Sequence, residues 1–192
     1  MSIVAFLSYV IITSITPGPS NILMMNEAQR FGFLGAWRFT SGILVGFAAL
    51  GFMSGVFTTG LYNWIPVVEP YLKIAGAAYL LYLAWQVGAN KSSKKNSRKV
   101  QSSFVSGFIF QIINVKSILF FLTVMSAFIL PFNHSLHSIL FYLTLAIFLG
   151  WLALLLWSGF GSLFKKFFAK YDKRFRITMS LLLAYSAVTI FL

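Results

Sequence analysis

Apolar residues run along this chain in long blocks separated by short polar links. Six blocks, at about 3–26, 36–61, 66–89, 104–130, 136–161 and 177–192, match or approach the roughly 20 residues that cross a bilayer as a helix. The pattern predicts an all-α polytopic membrane protein with six transmembrane helices in a single domain, 1–192. The first block is expected to be a span and not a cleaved signal, because Met1-Ser2-Ile3-Val4 carries no positive charge and no small-x-small cleavage site follows.

Two blocks are interrupted where a span should be most apolar. In the first the break is Thr16-Pro17-Gly18-Pro19-Ser20-Asn21, and in the fourth it is Asn114-Val115-Lys116-Ser117. Irregular backbone at membrane depth survives only where protein buries it or where it lines a wet cavity. Matched interruptions in two halves point to a transport site. Three spans (1–89), a basic link (90–103) and three spans (104–192) make halves of opposite orientation, so a repeat between them would be inverted. Phe6-x-Ser8 and Phe104-x-Ser106 open the two broken spans, Ile15 then aligns with Ile113, and Ala78-Tyr79 matches Ala184-Tyr185.

Composition agrees with the membrane reading. Of 192 residues, 59% are hydrophobic and 9% are charged, against about 25% charged in soluble domains. Mean hydropathy is +0.85. No stretch outside the spans is long enough to bury a core of its own. The net charge of +12 gathers in two links, Lys91 to Lys99 and Lys165 to Arg176. In a polytopic protein such clusters set orientation and meet anionic headgroups, which places the odd links in the cytoplasm and both termini outside. Nucleic acid is not an expected partner. With no cysteine, thiol chemistry and cysteine-ligated metals are excluded. His134 and His137 read as a solvated loop pair, not a metal site, and no cofactor is expected.

The first break offers complementary helix ends. Pro17 and Pro19 lack an N–H and Gly18 is permissive, so the helix stops, and Ser20 and Asn21 are expected to cap the half-helix that follows. Its free N–H groups suit a carboxylate, and the carbonyls ending the preceding half suit an ammonium. Lys116 lies too deep to snorkel to either surface and should face the bundle interior or a wet cavity, holding a substrate carboxylate or tying down the carbonyls of the break. Asn114 and Gln111 add hydrogen-bonding groups at the midplane. Gly42 and Gly46, like Gly51 and Gly55, are spaced for close helix packing, and a homo-oligomer is compatible with them. Trp85 reads as interfacial belt, and deeper Tyr79 as a pocket residue. The expected substrate-binding set is therefore Thr16, Pro17, Gly18, Pro19, Asn21, Gln111, Asn114, Lys116 and Tyr79.

No acid lies at the centre of a span: Glu27, Glu69 and Asp172 fall near the edges. That disfavours a relay of buried carboxylates. If transport is coupled to protons, Lys116, Glu27 or the substrate amine must take part. An intramembrane enzyme finds no nucleophile and base here. A small-solute channel or uniporter built on the same breaks remains a second reading.

Thr16-Pro17-Gly18-Pro19-Ser20-Asn21 followed by Gly32, Gly35, Gly42 and Gly46 resembles the signature of the lysine exporter and homoserine/threonine exporter family. The run from Lys73 to Trp85 is similar to that family's Gly-x-x-Tyr-Leu segment, and Gly107-Phe108 to Gln111-x-x-Asn114-Val115-Lys116 to its Gly-Phe…Asn-Pro-Lys segment. Two positions depart: Ser20 stands where the family has Asn, and Val115 where it has Pro. The Asn-Val-Lys form, with Phe128 to Pro131 and Ala187 to Phe191, looks most like the cysteine/O-acetylserine exporter branch. The resemblance implies six spans, secondary active export of small amino acids, and a bacterial inner membrane. Within it, cysteine and O-acetylserine are the expected substrates, with homoserine, threonine or lysine as alternatives.

Overall fold

The computed structural model describes residues 2–61, 67, 70–71, 74, 77–78, 81–82, 84–85, 103–132, 135–164 and 172–189. Among these, seven helices carry the fold and there is no strand: α1 (Ile3–Ile15), α2 (Pro19–Phe31), α3 (Trp37–Leu61), α4 (Phe104–Ile112), α5 (Val115–Thr123), α6 (Leu136–Leu163) and α7 (Asp172–Thr189). α5 runs on as a π-helical turn, Val124–Ile129, before Pro131 ends it. The described positions between 67 and 85 are also helical. Residues 86–102 and 165–171, which hold most of the two basic links, lie outside the described residues, as do Glu69, Tyr79 and His134.

Two helices, over Trp37–Val56 and Leu136–Leu163, are long and apolar enough to cross a membrane alone. Two pairs qualify jointly and bend at their breaks, α1 with α2 by 46° and α4 with α5 and its π turn by 54°. Among the described residues, which are helical throughout apart from caps and turns, that makes up to four spans by length and composition. The two bends have different causes. The first follows from Pro17 and Pro19, neither of which can donate to the ladder. The second has no proline: Ile113 ends α4, and Asn114 takes an extended conformation (φ −72°, ψ 101°) and caps α5 by accepting from the Lys116 N–H at 3.2 Å.

The boundaries correct four expectations. Ser20 and Asn21 are not N-caps. Gly18 holds that position without a side-chain bond, Pro19 is the first helical residue, and Ser20 and Asn21 sit in the first turn of α2. Proline suits that first position because its missing N–H would have found no partner in the helix anyway. The second break is confined to Ile113 and Asn114, and Lys116 and Ser117 are already helical. Glu27 is not in a link: α2 continues to Phe31 and buries it. α2 ends at Gly32, whose φ of 81° favours glycine over any side chain. Likewise α7 begins at Asp172, so Arg174 and Arg176 are helical.

Close helix crossings bring the breaks together. α3 packs on α4 through glycines: a Cβ on Gly42 would strike the Phe104 carbonyl, and one on Gly107 the Phe39 carbonyl. At Gly46 the neighbour would be Gln111 Cβ, 2.8 Å away. Small residues thus let two backbones touch in a solvent that provides no hydrophobic drive between helices. On the other side Gly161 of α6 lets the Met25 backbone of α2 approach. Aromatic rings fill the space between, with Phe47 of α3 against Phe121 at 4.7 Å and Phe120 at 5.8 Å. A second apolar cluster joins Ile22 and Met25 of α2 to Ala77, Ala84, Met179 and Leu183. Ser180 on α7 donates to the Ala84 carbonyl at 2.7 Å, which fastens α7 to that helical residue.

Candidate substrate site between two broken helices

The end of α1 exposes carbonyls that no following turn can satisfy. Side chains from three helices take them. Asn21 reaches back across the break and donates to Ser14 O at 2.9 Å and Thr16 O at 3.3 Å. Trp157 of α6 donates to Ile15 O at 3.1 Å. Lys116 Nζ, from the other broken helix, donates to Thr16 O at 2.6 Å and to Pro17 O at 3.5 Å. Thr16 turns its own hydroxyl back to Ile12 O at 2.7 Å.

The two breaks are also joined by a buried polar network. Ser20 Oγ donates to Gln111 Oε1, and Asn114 Nδ2 donates to Ser20 Oγ at 2.6 Å. Gln111 Nε2 donates to Ser117 Oγ at 2.7 Å. Gln111 has no exposed surface and Asn114 only 2%. Four polar side chains from α2, α4, the second break and α5 therefore satisfy one another, as groups this deep must. The network orients the first turns of α2 and α5 toward one place.

That place is a narrow, partly open crevice with about 30 Å³ of free space. One wall is polar: Ser14, Gly18, Asn21, Asn114, Lys116 and Ser117. The other is apolar and aromatic: Phe47, Phe120, Gly150 and Leu154. Among the described residues no Asp or Glu lines it. The amide N–H groups of Ser20 and Asn21 lie in the first turn of α2, where the helix supplies no acceptor and its partial positive charge gathers.

Of the residues expected from sequence, Gly18, Pro19, Asn21, Asn114 and Lys116 line the crevice. Gln111 stands behind its wall and acts through Ser20 and Ser117. Thr16 and Pro17 contribute carbonyls to Lys116 and are not in the lining. The structure adds Thr13, Ser14, Ser20, Ser117, Phe47, Phe120, Gly150 and Leu154. Ser14 and Ser117 flank the breaks and were within reach of a sequence argument, being hydroxyls one turn or less from an interrupted helix. Phe47, Gly150 and Leu154 carry no such signal, since only the crossing of α3 and α6 brings them here. Among the described residues no cluster of ligating side chains fits a metal ion.

The family description "LysE type translocator" matches residues 11–191. The chain belongs to the LysE-type translocator family. Curated relatives extend over its whole length. The cysteine/O-acetylserine efflux protein of Salmonella choleraesuis is 34% identical over 191 residues, covering 100% of this chain and 98% of its own. That of Salmonella typhimurium is equally similar. The protein of the same description from Escherichia coli K12 is 33% identical over 187 residues, 97% of this chain and 96% of its own. No solved structure matches. The chain is thus a membrane translocator and not an enzyme, and the family resemblance read from its motifs holds over nearly its full length.

Proposed function

We propose that this translocator exports small neutral amino acids, cysteine and O-acetylserine foremost, across the bacterial inner membrane as a secondary active carrier. The observation that carries this reading is the crevice between the two breaks, polar on one wall, apolar on the other and free of carboxylates among the described residues. A zwitterion finds N–H groups for its carboxylate at the start of α2 and carbonyls for its ammonium at the end of α1. A cationic side chain such as that of lysine finds no acid to pair with there. The full-length relatives named for cysteine and O-acetylserine efflux support the same substrates.

The architecture we propose is six spans in two inverted three-helix halves. Two features support it: each half opens with a Ser-capped helix, by Ser2 and by Ser103, and each such helix then bends at a break. Rocking of the halves about the breaks would expose the crevice alternately. Gly18, Asn21 and Asn114 contact substrate in this reading, Lys116 ties down the carbonyls of the first break, Gln111, Thr16, Pro17 and Pro19 shape the site, and Tyr79 is a further candidate. Termini outside, basic links on anionic headgroups, coupling to protons and a homo-oligomer complete the proposal.

Counterflow in proteoliposomes tests it. Vesicles loaded with unlabelled O-acetylserine should take up labelled O-acetylserine saturably, with competition by cysteine and not by lysine. Exchange with lysine or homoserine instead would move the substrate within the family. Flux linear in concentration and indifferent to trans substrate would replace the carrier with a channel.

A further inference from the structure

The crevice presents its two kinds of polar partner unequally. On the donor side, the N–H groups of Ser20 and Asn21 face no helical acceptor. On the acceptor side every one of the carbonyls already accepts a bond, and Thr16 O accepts two. Ser14 O and Thr16 O accept from Asn21, Ile15 O accepts from Trp157, and Thr16 O with Pro17 O holds the ammonium of Lys116. A zwitterionic substrate needs both sides. The carbonyls that would receive its ammonium already hold an ammonium belonging to the protein.

Lys116 reaches them for a physical reason. It sits in the first turn of α5, where the helix end is positive and repels a cation. The end of α1 is negative, and among the described lining residues there is no carboxylate to draw the lysine elsewhere. Gly18 makes the path possible. A Cβ there would lie 2.7 Å from Lys116 Cδ and 3.0 Å from Nζ. Gly18 has φ −150°, extended backbone open to any residue. The glycine is therefore needed for the space it leaves to the lysine stem and not for its conformation.

We propose that Lys116 is a tethered cation that fills the substrate's ammonium subsite when the carrier is empty and is displaced by the ammonium of the bound amino acid. Gly18 is the positioning residue that gives its stem room. This inference rests on the export reading above. Its consequence is that the empty carrier keeps its dry carbonyls satisfied and can change face without cargo, as net export requires. Exchange, in which the carrier crosses loaded both ways, does not need the lysine.

The test separates those two modes. Proteoliposomes loaded with labelled O-acetylserine are diluted either into substrate-free buffer, which reads net efflux, or into buffer with unlabelled O-acetylserine, which reads exchange. Wild type should show both. Lys116→Met should lose net efflux down to the protein-free leak and keep exchange. Its KM for exchange should fall by about tenfold if the lysine holds the subsite nine-tenths of the time. Lys116→Arg should recover part of the net efflux. Gly18→Ala, which pushes the stem off the carbonyls, should depress net efflux more than exchange. A Lys116→Met protein that elutes like wild type and loses both modes, or keeps both, overturns the proposal while leaving the export reading intact. If Lys116→Met does not survive purification, the same split in Gly18→Ala decides. A wild type that exchanges no small amino acid overturns the export reading and this proposal together.

Discussion

Asn114 Nδ2 donates to Ser20 Oγ at 2.6 Å and so ties the break of one half of the chain directly to the break of the other. The bond belongs to a network that is closed by Gln111 and Ser117 and shut away from solvent. Its members stand 91 and 94 positions apart in sequence. The two interruptions therefore form one structure, and perturbing one should be felt at the other.

This makes Ser20 and Asn114 energetically coupled. Ser20→Ala and Asn114→Ala are each expected to destabilise the protein, and the double variant by less than the sum. The coupling should be about 0.6–1.7 kcal/mol, the range found for hydrogen bonds between membrane helices. A double-mutant cycle on unfolding in detergent measures it. Additive losses would mean that the bond contributes nothing of its own.

The crossing of α3 and α4 depends on missing side chains. Gly107→Ala places a Cβ on the Phe39 carbonyl and should cost about 1–3 kcal/mol by forcing the helices apart. Gly159→Ala, where nothing lies within 4 Å, should be silent and serves as the control. Thermal unfolding of the two purified variants makes the comparison.

How much of this was readable beforehand differs from place to place. The breaks were legible because Pro17, Gly18 and Pro19 in an apolar run, and Asn114 with Lys116 in another, have no comfortable place in an uninterrupted span. That Lys116 would face the bundle interior followed from the cost of a deep ammonium, whereas its contact with the carbonyls of the first break was only one of two readings open in the sequence. The exact start of α2 was not legible, because Ser20 and Asn21 are good caps by type and only the geometry shows Pro19 as the first helical residue. Glu27 lies just past the apolar block 3–26 and reads as an edge residue, whereas α2 runs on to Phe31 and buries it. Phe47, Gly150 and Leu154 depend on how α3 and α6 cross, which no local pattern encodes.

The apolar wall should control substrate size. A Cβ on Gly150 would lie 2.6 Å from Phe47 Cζ, so Gly150→Ala must displace that ring, which itself lines the crevice. Transport of the bulkier O-acetylserine should drop more than that of cysteine, by several-fold in kcat/KM ratio. Equal losses for the two substrates would detach Phe47 from selectivity.

Gly32 closes α2 with a φ of 81°. Gly32→Val and Gly32→Asn should both destabilise by about 1–3 kcal/mol, because φ 81° with ψ 167° is a backbone region open essentially to glycine alone. Unfolding midpoints of the two variants measure the loss. Midpoints equal to wild type would place the strain elsewhere.

The chain has no cysteine, so a single thiol can be placed in the crevice on a silent background. Ser14→Cys puts one on its polar wall. The decisive measurement is the rate at which N-ethylmaleimide labels that thiol in proteoliposomes, with and without O-acetylserine. The account predicts that labelling stops exchange and that O-acetylserine at about ten times its Kd slows labelling about tenfold. A labelling rate unchanged by saturating substrate, in vesicles that still exchange it, would contradict the claim that the amino acid binds between the two broken helices.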